Sequence, residues 1–141
     1  VNIVPIIDHG TIMGRLFDIY PFFEEGDLRK KGKFTYKELL NNVIPSMNET
    51  LKYVHDAGLI HRDIKPANFF SYKDRVLLSD FGIASTKQFT EIGRGTIGYR
   101  AIEVKSSVVD KKTDYFALGP TIASLYLGHD IYEGKDVSEI Y

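Results

Sequence analysis

The sequence contains no cysteine, which excludes disulfides and thiolate metal sites and leaves the redox compartment open. It has no excess of either charge: 18 Lys and Arg stand against 19 Asp and Glu, a formal net charge of -1. Without a basic stripe to neutralise phosphates, nucleic acid is not an expected partner. No apolar run approaches the roughly 18 residues that a membrane span requires, so no membrane segment is expected, and the cytoplasm is the expected location. The amino end, Val1-Asn2-Ile3-Val4, has neither the basic region nor the apolar core of a secretory signal. It also has no starting Met, which reads as a chain cut from something longer. Internal repeats and low-complexity tracts are absent. What is there, 141 residues of which 43% are hydrophobic and 26% charged, describes one soluble globular unit able to bury a core.

Periodicity divides the chain into an early β part and a later helical part. Residues 3–7 and 12–20 read as two short strands, with Asp8-His9-Gly10-Thr11 supplying turn chemistry between them. Pro5 suits an edge or a bulge. A polar-flanked connector, 21–26, leads to Asp27, a plausible helix cap. From Thr35 to His55 the apolar residues Leu39, Leu40, Val43, Ile44, Met47, Leu51 and Val54 recur at helical steps and predict one buried face. Pro45 predicts a kink or a split in that helix, and Gly58 its stop. Short apolar runs follow, 58–60 and 76–78, with a turn at Lys73-Asp74 before the second. The stretch 82–98 is loop-like, and Tyr115 to Leu127 reads as an apolar helix distorted at Pro120.

The densest polar cluster is His61-Arg62-Asp63-Ile64-Lys65-Pro66-Ala67-Asn68, placed on a loop after the predicted helix. Asp80-Phe81-Gly82 follows the run Val76–Leu78. Together these segments supply what phosphoryl transfer needs. One carboxylate orients and deprotonates the attacking hydroxyl. A second carboxylate and an amide oxygen hold a hard ion such as Mg²⁺, and a cation offsets the charge of the moving phosphoryl group.

The first segment resembles the catalytic loop of the eukaryotic-type serine/threonine protein kinases, and Asp80-Phe81-Gly82 resembles their metal-binding motif. Two further segments match in order: Gly95-Thr96-Ile97-Gly98-Tyr99-Arg100-Ala101-Ile102-Glu103 resembles the end of the activation segment, and Asp114-Tyr115-Phe116-Ala117-Leu118-Gly119 the start of the buried central helix. The resemblance implies an α+β, partial protein-kinase-like fold. Residues 1–23 would close the small lobe and form the hinge, and 24–141 would open the mainly helical large lobe. It implies ATP and Mg²⁺ as cofactors and a protein bearing Ser or Thr as substrate. Asp63 would be the catalytic base, Lys65 the contact to the transferred phosphate, and Asn68 and Asp80 the metal ligands. Thr96 would hydrogen-bond Asp63 and Lys65. In the hinge, Tyr20 would be the gatekeeper, Pro21 and Phe23 would offer backbone groups to adenine, Asp27 would meet the ribose, and Phe70 would pack beneath the base. His61 would pack near Phe81 rather than react. A phosphate on Thr90 would pair with Arg62, helped by Lys87 or Arg94.

Plainer roles compete for several of these residues. His9, His55 and His129 read as surface or helix-end residues, Glu24, Glu25 and Asp27 as a solvated acidic turn, and Arg62 as one half of an ordinary ion pair. The sequence also departs from the family in places. Ile102 stands where the family usually has Pro, the usual partner of Glu103 lies beyond Tyr141, and Pro120 interrupts the central helix. No glycine-rich loop, strand lysine or paired helix glutamate precedes Val1, and Gly10-Thr11-Ile12-Met13-Gly14 does not have the spacing to replace them. These 141 residues alone are therefore expected to be inactive. A pseudokinase or scaffold that binds without transfer is the competing reading, and a small-molecule phosphotransferase of similar fold a third.

Overall fold

The computed structural model describes residues 2–82, 84–86, 95–101 and 109–140. Its first element is an antiparallel hairpin of β1 (Asp8–Ile12) and β2 (Arg15–Ile19), in register from Asp8 opposite Ile19 to Ile12 opposite Arg15. Met13 and Gly14, at φ 49° and 75°, make the tight turn, the left-handed pair whose twist matches a two-residue hairpin. The strands expected at 3–7 and 12–20 are thus displaced, and the segment expected to turn, 8–11, is itself a strand. The hairpin is exposed on nearly every residue, so no inward-outward alternation marked it. Residues 2–4 instead run beside a later strand: the Leu78 N–H donates to the Asn2 carbonyl at 2.9 Å, and the Val4 N–H to the Leu78 carbonyl at 2.8 Å.

After the connector, Asp27 caps α1 (Leu28–Lys31), its side chain accepting from the Arg29 N–H. Thr35 and Glu38 then form a reciprocal capping box at α2 (Tyr36–Glu38). The helix continues through a π-turn, Leu39–Val43, into α3 (Ile44–Asp56). Pro45 explains this join. It supplies no N–H to the helical ladder, and just before it the Ile44 N–H reaches five residues back to the Leu39 carbonyl, the wider π spacing. Leu39, Val43, Met47, Leu51 and Val54 are buried, each at most 3% exposed. Leu40, expected on the same face, is 46% exposed, because it flanks the buried line rather than lying on it.

Beyond Gly58 come β3 (Leu59–Ile60), the polar loop, and a 3-10 turn at Pro66–Asn68. A second hairpin follows, β4 (Phe69–Tyr72) with β5 (Arg75–Leu78), turning at Lys73 and Asp74 in the left-handed region. The strand β4 was not expected, since it starts directly on the polar loop. A short β6 (Ser85–Thr86) pairs with β3 inside the stretch read as loop. Next, α4 (Lys111–Leu127) begins at the Asp110 cap, four residues before the expected start, and ends at Gly128, φ 83°. It passes Pro120 unbroken. A short α5 (Val137–Ile140) comes last.

Small antiparallel sheets and helices therefore alternate along the chain, an α+β arrangement. One core joins α1, α3, the polar loop, the β4–β5 hairpin and α4 through Leu28, Met47, Leu51, Ile64, Phe69, Leu78 and Leu125, each at most 2% exposed. Burying each of these contributes about 1.5–3 kcal/mol. Among the described residues, no helix is long and apolar enough to cross a membrane.

Candidate active site

The polar loop hangs from α4. Asp114, fully buried in the first turn of that helix, accepts the His61 N–H at 2.9 Å and the Arg62 N–H at 2.7 Å. His55, at the end of α3, brings Nε2 to 2.7 Å from Asp114 Oδ2. Its side chain is only 7% exposed, so His55 is at a helix end, as one plainer reading had it, but not at the surface. His9 and His129 are exposed. Arg62 itself is buried and held at φ 73°, a conformation costing about 1–3 kcal/mol that surrounding contacts must offset.

His61 faces two partners that define its tautomer. Nε2 lies 2.9 Å from the Ser79 carbonyl, which can only accept, and Nδ1 receives the Asp63 N–H at 3.3 Å. Burial lowers its pKa below the ordinary value, outweighing the pull of Ser79 and the nearby carboxylates, so the ring is neutral. It meets Phe81 edge to face at 4.8 Å between centroids.

Asp63 sits where these restraints converge. Oδ1 accepts the Thr96 hydroxyl at 2.6 Å and the Thr96 N–H at 3.1 Å. Oδ2 accepts Lys65 Nζ at 2.8 Å and Asn68 Nδ2 at 3.1 Å. Lys65 Nζ also donates to the Thr96 hydroxyl at 2.7 Å. Burial pushes the Asp63 carboxyl up, yet Lys65, Thr96 and Asn68 together bring it below the ordinary range. The result is a half-buried carboxylate, ionised at neutral pH, with an ammonium beside it. The structure brings Asp63, Lys65, Asn68 and Thr96 into one hydrogen-bonded group.

Asn68 donates from its amide nitrogen to the Asp63 carbonyl as well, at 2.8 Å, which leaves the amide oxygen for another partner. Asp80, at φ 60°, is exposed and lines the neighbouring cleft. One carboxylate and one amide oxygen suit Mg²⁺, which takes one or two such ligands and completes its shell with water and phosphate. Among the described residues, no group of three or more His, Asp or Glu side chains could hold an ion without that help.

The cleft has a volume of about 360 Å³. Tyr20, Pro21, Phe23, Asp27, Phe70 and Asp80 all line it, so the hinge residues expected from sequence share one cavity with the second carboxylate. Phe70 lies 5.1 Å from Phe23, ring to ring. Among the described residues, the Phe23 N–H and the Pro21 carbonyl have no hydrogen-bond partner, an adjacent donor and acceptor of the kind a purine edge requires. Asp27 also has a partner within the chain. Arg29 holds it through three hydrogen bonds, at 2.9, 3.0 and 3.0 Å, and that contact lowers its carboxyl below the ordinary range.

Beyond Thr96, Gly98 turns at φ 89° and the Tyr99 hydroxyl meets Ser124 Oγ of α4 at 3.1 Å. Burial pushes the Tyr99 phenol up to about 12, so it stays protonated. Thr90, Lys87, Arg94, Ile102 and Glu103 lie outside the described residues. Sequence reasoning missed the role of His55. The signal was faint: a histidine near a helix end, with its partner in a distant segment.

A family model described as the protein kinase domain matches residues 3–141. The chain belongs to the protein kinase family. Its fold is accordingly a partial kinase-like one. Among similar proteins, the serine/threonine-protein kinase PknJ of Mycobacterium tuberculosis is 36% identical over 142 residues, covering 90% of this chain and 24% of PknJ. Human mitogen-activated protein kinase 13 is 32% identical over 145 residues, covering 96% of this chain and 40% of that kinase. Cyclin-dependent kinase F-4 of rice is 39% identical over 97 residues, 64% of this chain and 21% of its own length. The chain thus spans between about a fifth and two fifths of these kinases.

Proposed function

We propose that this domain transfers the γ-phosphate of ATP to a Ser or Thr hydroxyl of a protein substrate. The observation that carries this reading is the group around Asp63: a carboxylate shared by Lys65, Thr96 and Asn68 at hydrogen-bonding distance. An incoming hydroxyl exchanges for one of these donors and points its oxygen at the phosphorus. As the new P–O bond forms and the bond to ADP breaks, the hydroxyl proton passes to Asp63. Lys65 supplies positive charge where the transferred group becomes most negative. Asn68 and Asp80 would hold Mg²⁺, which neutralises the phosphates when bound. Tyr20, Pro21, Phe23, Asp27 and Phe70 would form the nucleotide seat, with residues 1–23 closing the small lobe and 24–141 beginning the large one. PknJ of two mycobacteria carries a serine/threonine kinase name, which supports the choice of hydroxyl. Transfer is expected from the full-length protein, not from these 141 residues alone.

The test is phosphate transfer from labelled ATP to protein and peptide substrates, followed by phosphoamino-acid analysis. Phosphoserine or phosphothreonine should form, and Asp63→Asn should lower kcat at least about 10²-fold. Nucleotide binding without any transfer in the full-length protein would favour the scaffold reading instead.

A further inference from the structure

The cleft contains a cation that no part of the reading above uses. Resting on that reading, in which the cleft holds ATP, we propose that the Lys30 ammonium, rather than the Asp27 carboxylate, is the side-chain group that recognises the ribose.

Asp27 lines the cleft but is already largely engaged. A carboxylate offers about four acceptor positions, and a ribose clasped through both hydroxyls needs two of them. Arg29 already occupies three, with its N–H and Nε on Oδ1 and Nη2 on Oδ2. Arg29 also lines a separate cavity with Tyr99 and Asp130, so Asp27, in the wall of the nucleotide cleft, is tied to a residue outside it. The bidentate geometry is the strong form of this contact.

Lys30, the next residue of α1, turns the other way. Its side chain lies across Gly26, so that a Cβ added there would meet Lys30 Cδ at 2.5 Å and Nζ at 3.2 Å. Gly26 is at φ 68°, and the connector passes under the lysine stem at this point. Among the described residues lining the cleft, Lys30 is the one Lys or Arg. Its ammonium makes no hydrogen bond or ion pair among the described residues. An ammonium has three donors, and the two ribose hydroxyl oxygens can accept two of them. Position 30 would therefore set the preference for a full ribose over a deoxy sugar.

Calorimetric titration of the full-length protein with ADP, 2′-deoxy-ADP and 3′-deoxy-ADP tests this without relying on turnover. The wild type should bind ADP about 3- to 10-fold more tightly than at least one deoxy form, the size of one net hydrogen bond. Lys30→Met, which keeps the stem over Gly26, should weaken ADP by the same factor and abolish the preference. Asp27→Asn, which preserves a helix cap, should retain it. A preference that survives in Lys30→Met, or vanishes in Asp27→Asn, overturns the assignment, as does a wild type with no sugar preference. Failure of every protein to bind ADP overturns the nucleotide reading itself, and this inference with it.

Discussion

Thr96 Oγ1 donates to Asp63 Oδ1 at 2.6 Å while accepting Lys65 Nζ at 2.7 Å. One hydroxyl therefore relays from ammonium to carboxylate, and its direction is fixed: the lysine can only donate, so the hydroxyl hydrogen must go to Asp63. Asp63 is held by a residue from a segment remote in sequence, which couples the pose of that segment to the pose of this carboxylate.

Removing the relay should slow chemistry more than it weakens nucleotide binding. Thr96→Ala is expected to lower kcat by about 10- to 100-fold, the range of one hydrogen bond to a charged group, with little change in KM for ATP. Thr96→Ser should recover most of the loss. Steady-state kinetics of the three proteins separates these outcomes.

His61 predicts a pH dependence of stability. Its pKa is lowered in the folded protein by burial, so the unfolded chain binds the proton first as pH falls. Stability should be full above the ordinary histidine value of 6.5 and decline as pH drops below it toward the folded value. Thermal melts between pH 8 and pH 5 should show that slope, and His61→Phe should flatten it while lowering Tm throughout.

His55 is the side-chain donor to a buried carboxylate. Replacing it with Leu leaves Asp114 only the two loop amides and should cost about 1.5–3 kcal/mol of stability. Urea unfolding measures the cost directly. Asp114→Asn in the same background should be less harmful than in the wild type, because the two groups act as a unit.

Gly98 tolerates no side chain on two independent grounds. Its φ of 89° is strained for any other residue, and a Cβ would sit 2.5 Å from the Tyr132 ring. Gly98→Ala should destabilise the protein by at least about 1 kcal/mol. Adding Tyr132→Ala should return the steric part and not the conformational part, a split that double-mutant unfolding curves resolve.

The polar residues of the candidate site were more legible in the sequence than the geometry that holds them. Asp63, Lys65, Asn68 and Asp80 stand out because polar residues are clustered among apolar ones, and clustering is visible in one dimension. The helical stripe from Leu39 to Val54 was legible through its period, although the period overstated its width at Leu40. Contacts between distant segments were not legible, as His55 and Asp114 illustrate. The first hairpin was misread because exposure on both faces erases alternation, and Met13-Gly14 is a less obvious turn than Asp8-His9-Gly10-Thr11. Asp27 was legible as a cap, but its second attachment depends on the rotamer of Arg29, which no pattern of residue types specifies.

Asp114 grips the catalytic loop by its peptide nitrogens at positions 61 and 62. The anchor is therefore blind to what side chain position 62 carries. Any residue able to adopt the left-handed backbone there would leave the neighbouring Asp63 in place, while changing the groups that the loop presents to its surroundings. Where Asp63 stands and what the loop presents are written in different atoms, so one can drift while the other is kept.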